Sequence, residues 1–148
     1  MTDEKRLPVS YFDRETLEII HRILSSRWEM EGEPIPPFLT ASEGNLDALV
    51  KIPQSRYFGV EQYPTLESKA AIIFYTLNKK HLFLNGNKRM SVACLSIFLI
   101  LNNYQLTATD QEMTDKAIWL AMTSHDHDFD EIKNNLVLWI RERMAPIS

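Results

Sequence analysis

The sequence predicts an all-α fold: helices bundled around one buried central helix, with a short extended or hairpin segment as the single minor β element. Three observations predict it. Most of the chain divides into stretches whose apolar residues recur at helical spacing. One of these, Met90 to Leu101, is apolar nearly all round (Val92, Ala93, Leu95, Ile97, Phe98, Leu99, Ile100), and such a helix needs neighbours on every side. Only Gln54 to Tyr63, which carries Tyr57, Phe58, Gly59 and Val60, has the composition of a short strand pair.

The elements follow in order. Asp13 is placed to cap a helix running to about Ser26, with Leu17, Ile20 and Leu24 on one face and Ile19 and Ile23 beside them. Pro34, Pro36 and Pro37 then impose an extended linker. A short helix is expected from about Ser42 to Ile52, stopped by Pro53. After the extended segment, Pro64 suits the first turn of a helix that ends at Lys79 and Lys80, cations matched to a helix C-terminus. The central helix is expected from Gly86 to about Asn102. Thr109 with Glu112 three residues on forms a capping box that opens a helix to about Thr123. Asp128 with Glu131 repeats that logic for a last helix through Arg143. Trp119 and Trp139 fall at helical positions consistent with core.

Composition bounds the function. The 148 residues suit one domain spanning 1–148, within which residues 1–42 supply the N-terminal helix and the Pro-rich linker. Apolar residues are 45% and charged residues 24% of the chain, ordinary values for a soluble globular protein. A net charge of −4 gives no overall attraction to DNA or RNA, so direct nucleic-acid binding is not expected. Cys94 is the single cysteine, which rules out an intrachain disulfide and makes it a small core residue. The polar N-terminus lacks the apolar stretch of a signal peptide, and Met90 to Leu101 is too short to span a bilayer. The expected compartment is the cytoplasm.

The chemistry concentrates in His81-Leu82-Phe83-Leu84-Asn85-Gly86-Asn87-Lys88-Arg89, a polar, basic turn between two core helices. The N–H groups at Gly86, Asn87 and Lys88 open the second helix, where free donors and the helix dipole favour an anion. A histidine ends the first helix, and two cations follow the glycine. A proton acceptor beside an anion cradle is what phosphoryl or nucleotidyl transfer requires.

Those residues resemble the Fic/Doc superfamily, and within it the Doc (death-on-curing) toxin branch. The Fic signature reads H-x-F-x-(D/E)-G-N-G-R-x-x-R, and His81, Phe83, Gly86, Asn87 and Arg89 match it. Lys88 replaces its second glycine and Val92 its final arginine; both departures are those of the Doc pattern, H-x-F-x-(D/N)-(A/G)-N-K-R. The resemblance covers roughly residues 43 to 143, including Gly44-Asn45-Leu46-Asp47-Ala48-Leu49 and the helix before the motif.

The resemblance implies an ATP-using transferase acting on a protein hydroxyl. Fic enzymes transfer AMP; Doc toxins transfer the terminal phosphate, to a threonine of a translation elongation factor. It implies His81 as the catalytic base, an imidazole whose ordinary pKa of about 6.5 allows it to take a proton. Gly86, Asn87, Lys88 and Arg89 would bind phosphate, and Phe83 would point inward to fix the loop. Asn85 stands where Fic proteins carry the carboxylate that holds Mg²⁺; a neutral amide is the weaker ligand. Arg56, Tyr57, Phe58, Gly59 and Val60 occupy the place of the family's flap, which would align a target polypeptide by main-chain pairing. A small antitoxin is the implied regulator. The inhibitory pattern of other Fic proteins, (S/T)-x-x-x-E-(G/N), has no full match: Ser25 and Glu29 have the spacing, but Met30 follows.

Two other readings compete with phosphate transfer. One is transfer of AMP by the same site; the other is a catalytically weak scaffold that works by binding, supported by Asn85. Blander readings attach to single features. Tyr57 and Phe58 would pack on the core if the flap were an ordinary surface loop. Lys79 and Lys80 would be plain helix-end cations. His125-Asp126-His127-Asp128 reads as solvated capping sequence rather than a metal site, and His21 carries no functional signal.

Overall fold

A computed structural model describes residues 8–30, 43–80, 86–123 and 128–147. Its helices are α1 (Arg14–Met30), α2 (Glu43–Lys51), α3 (Leu66–Lys79), α4 (Asn87–Leu101), α5 (Asp110–Met122) and α6 (Phe129–Arg141). Four short strands accompany them: β1 (Arg56–Tyr57), β2 (Val60–Glu61), β3 (Tyr104–Leu106) and β4 (Met144–Pro146). The mostly helical fold expected from the sequence is present. The linker prolines and His125 to His127 lie outside the described residues.

The centre is α3 packed along α4, with α6 and α5 against α3 and with α1, α5 and β3 against α4. Phe74, Leu77, Met90, Leu95, Phe98 and Leu99 are all but inaccessible to water. Phe12 meets Phe98 edge-on at 5.7 Å, which closes the core beneath the start of α1. The neighbours do not enclose α4 completely: Ile100 and Leu101 at its C-terminal end are exposed.

Capping chemistry sets the helix starts. Asp13 accepts the amide of Thr16 at 2.7 Å, as its position predicts, and α1 runs on four residues past Ser26. Thr109 and Glu112 form the reciprocal box at α5. At α3 the cap is Thr65, boxed with Ser68, so Pro64 precedes the helix rather than opening it. Asp128 caps α6 by accepting from the Asp130 amide at 3.2 Å, and among the described residues the Glu131 box is not formed. Pro53 does not stop α2 abruptly; it sits in a 3-10 turn, Ile52–Gln54, that continues it.

Two expectations fail. The structure has a second small sheet: β3 pairs antiparallel with β4, Gln105 opposite Ala145, so the last helix ends at Arg141 and the chain returns as a strand. The Trp119 ring is not core. It is exposed under the Lys116 ammonium, 3.8 Å from its centre, while half-buried Trp139 lies under Arg143. Cations cover these indole faces in place of apolar side chains.

Candidate active site

Gly86 makes the turn into α4. Its φ of +80° is a left-handed conformation that side-chain-bearing residues avoid. Thr65 and Thr109 accept first-turn amides at the starts of α3 and α5, but Gly86 has no side chain with which to do so. At this helix start the capping residue itself offers no side-chain acceptor to compete with an anion. Asn87 is buried, Arg89 half-buried and Lys88 exposed. The Ser91 hydroxyl, wholly buried, donates to the Lys88 carbonyl at 2.6 Å and stiffens this turn.

Lys88 and Arg89 share a cleft of about 420 Å³ between α1, α4 and α5. Leu24, Val92, Ala93, Met113, Ala117 and Ile118 make its apolar walls, and Asp110 adds one carboxylate. Two cations above an apolar trough suit a ligand that is anionic at one end and flat or apolar at the other. Val92, the position that departs from the Fic signature, lines this same cleft.

Between them α3 and α4 bracket residues 81–85. His81, Phe83 and Asn85 lie outside the described residues; the residues that flank them are described. The flank is firmly held. Buried Asn78, three residues before His81, donates to the Ala117 carbonyl at 3.1 Å, and its Oδ1 has no protein partner among the described residues. Lys79 donates to the Thr123 carbonyl at 2.7 Å. Lys79 is thus more than a helix-end cation: it ties α3 to the end of α5. Sequence reasoning missed both contacts, since their acceptors are backbone carbonyls that any residue could provide.

The flap expectation meets a hairpin. Arg56 pairs with Glu61 and Tyr57 with Val60. The turn residues Phe58 (φ 50°) and Gly59 (φ 80°) both have positive φ, the signature of a two-residue type I′ turn. Glycine adopts this freely; phenylalanine does not, and backbone strain of this kind concentrates at functional positions. Phe58 is 96% exposed and Tyr57 63%, so neither packs on the core. Their rings meet edge to face at 5.1 Å, and Arg56 donates to the Gly59 carbonyl at 3.1 Å. The hairpin presents Arg56, Tyr57, Phe58 and Val60 to solvent, and none of its residues lines the cleft of Lys88 and Arg89.

Other candidates are resolved by burial. Cys94 is fully buried, and desolvation pushes its thiol up to about 12, so it is no nucleophile. His21 is buried beside Ser25, with Nδ1 3.4 Å from the hydroxyl. Among the described residues no cluster of three His, Cys, Asp or Glu side chains could hold a metal, and no helix is long and apolar enough to cross a membrane.

Comparison with known proteins shows the family. The sequence pattern of the Fic/DOC family matches residues 11–99, which take in the hairpin, the motif turn and most of α4. The chain is also similar to Toxin Doc of Mycolicibacterium smegmatis (strain ATCC 700084 / mc(2)155). The two are 36% identical over 93 residues, a span of 63% of this chain and 72% of that toxin.

Proposed function

The chain belongs to the Fic/Doc family, and from that premise we propose that it is a Doc-type toxin. It transfers the terminal phosphate of ATP to a serine or threonine hydroxyl of a cellular protein, with a translation factor as target. It acts in the cytoplasm, where a small antitoxin holds it inactive.

In this reading the target hydroxyl oxygen bonds to the terminal phosphorus as the bond to the bridging oxygen breaks, and ADP leaves. His81 takes the hydroxyl proton. Asn87 and the first-turn amides of α4 hold phosphate oxygens, while Lys88 and Arg89 neutralise their charge, Arg89 with the forked geometry a phosphate accepts. Mg²⁺ bound with ATP would screen the phosphates; Asn85 is the residue the family pattern sets beside it. The amide suits a shared site in which phosphate oxygens and water supply most ligands. The hairpin offers its strands to a target polypeptide for main-chain pairing.

One observation carries the choice of terminal phosphate over AMP. Val92 lines the cleft of Lys88 and Arg89, so the wall where Fic enzymes present a further phosphate-binding arginine is apolar here. The test is direct. The purified chain is incubated with Mg²⁺, cell extract and ATP labelled at either the terminal or the innermost phosphate, and modified proteins are weighed by mass spectrometry. Terminal label with a phosphate mass gain is the expected result. An AMP mass gain overturns the phosphate assignment, and no transfer at all leaves only the binding scaffold.

A further inference from the structure

Apolar packing reaches the hairpin only at its flanks, where Pro53 and Tyr63 are buried; within the hairpin the contact with the rest of the molecule is a charge. Tyr57, Phe58 and Val60 are all exposed. Its ladder has two residue pairs, extended only by the Gln62 amide donating to the Ser55 carbonyl at 3.0 Å. A two-stranded hairpin of that size has little stability of its own in water.

What fixes it is Lys69, on the first turn of α3, only 2% exposed. Its ammonium donates to the Pro53 carbonyl at 3.1 Å, the Tyr63 carbonyl at 2.6 Å and Glu61 Oε1 at 3.1 Å. Three donors meet three acceptors, and the Tyr11 ring lies 5.8 Å away. The acceptors bracket the hairpin: Pro53 precedes β1, Glu61 is in β2 and Tyr63 follows it. A buried ammonium is tolerable only while paired and hydrogen-bonded. Here its carboxylate belongs to the hairpin, so lifting the hairpin would strand the charge.

We infer that Lys69 is a positioning residue for target binding: its ammonium clamps both legs of the hairpin to α3, the helix whose chain runs on to His81, and so sets the register in which a target polypeptide meets the transfer site. This rests on the transferase reading above for its function, though not for its mechanics. The clamp ties the target-aligning strands to the helix that leads into the base. Removing it loosens target alignment while leaving the ATP cleft, which shares no residue with it, intact.

The experiment compares the full chain with Lys69→Met, which keeps the bulk and removes the charge, and with Glu61→Ala. Glu61 is the solvent-reaching end of the pair, its side chain 36% exposed, so this second variant decides the matter if Lys69→Met fails to fold. By amide hydrogen exchange, hairpin amides are expected to exchange roughly tenfold faster in the variants while α3 and α4 keep their protection. Unchanged hairpin exchange in the folded variants overturns the clamp. In the labelled-ATP assay, the half-saturating concentration of extract protein should rise roughly tenfold, with the maximal rate and the half-saturating ATP within about twofold of wild type. A lower maximal rate at unchanged half-saturation overturns the positioning role. If the wild-type chain itself transfers nothing, the transferase reading fails and hydrogen exchange still judges the clamp.

Discussion

Lys79 Nζ donates to the carbonyl of Thr123 at 2.7 Å, so the last turn of the helix that leads into His81 is tethered to the C-cap of α5. Asn78, its neighbour, reaches the Ala117 carbonyl on the same helix. Two adjacent residues thus hold the exit of α3 against the element that also walls the Lys88–Arg89 cleft. The end of α3 and the cleft are held together through α5.

Replacing Lys79 with Met removes the tether and keeps the stem. The expected stability loss is about 1.5–3 kcal/mol, the range for a hydrogen bond involving a charged group. A larger effect is expected on transfer rate, since a base displaced by even about 1 Å loses much of its effectiveness. Thermal unfolding and single-turnover transfer measured on one preparation check this; equal proportional effects would mean the tether serves stability alone.

Gly86→Val tests the left-handed turn with a residue that the Doc pattern, which takes alanine or glycine here, does not use. A Cβ at φ +80° costs about 1–2 kcal/mol, and the chain can relieve it only by moving the first turn of α4. ATP binding followed by calorimetry should weaken well beyond what the stability change explains.

Val92→Arg restores the arginine of the Fic signature on the cleft wall, and Lys88→Gly restores its second glycine. The double variant is expected to shift product from phosphate toward AMP, read by mass spectrometry of the modified target. Glycine in the first helical turn costs about 1 kcal/mol, so the comparison belongs below the melting temperature of both proteins.

His21 gives a pH signature. Burial holds its pKa below 6.5, so the fold keeps it neutral while the unfolded chain takes up a proton first. Its contribution is therefore complete above about pH 6.5 and declines as pH falls toward the lower folded value. His21→Asn should flatten the melting temperature across that window relative to wild type, whatever the shift at pH 8.

Cys94 offers a control for folding. With its thiol pushed up to about 12 in a solvent-free site, alkylation by iodoacetamide at pH 8 should await unfolding, and the labelling rate should follow denaturant concentration.

Much of this was legible in the residues because it depends on local chemistry. The Thr109–Glu112 box, the Asp13 cap and the glycine that opens α4 each involve neighbours in sequence, and each is found. The Thr65–Ser68 box escaped because serine is a rarer third residue and Pro64 offered a competing start. The β3–β4 pair escaped for a different reason: its strands are three residues long and about forty positions apart, so no alternation marks them. Trp119 was misplaced because an aromatic at helical spacing looks the same whether a core or a lysine stem covers it. Lys69 left no trace at all, since two of its three acceptors are carbonyls common to every residue.

The two ends of α4 are treated oppositely. At the far end Asn102 accepts from the Ser10 amide and donates to the Ser10 and Phe98 carbonyls; at the near end Gly86 has no side chain to offer and only its carbonyl takes part, accepting the Met90 amide. Heritable change meets that difference directly. A substitution at Asn102 strands the Ser10 amide and the Ser10 and Phe98 carbonyls, whereas Lys88 is exposed and Val92 only half-buried, so exchanges there leave the frame standing. The first turn of α4 can therefore change its surface chemistry at less cost to folding than its last turn.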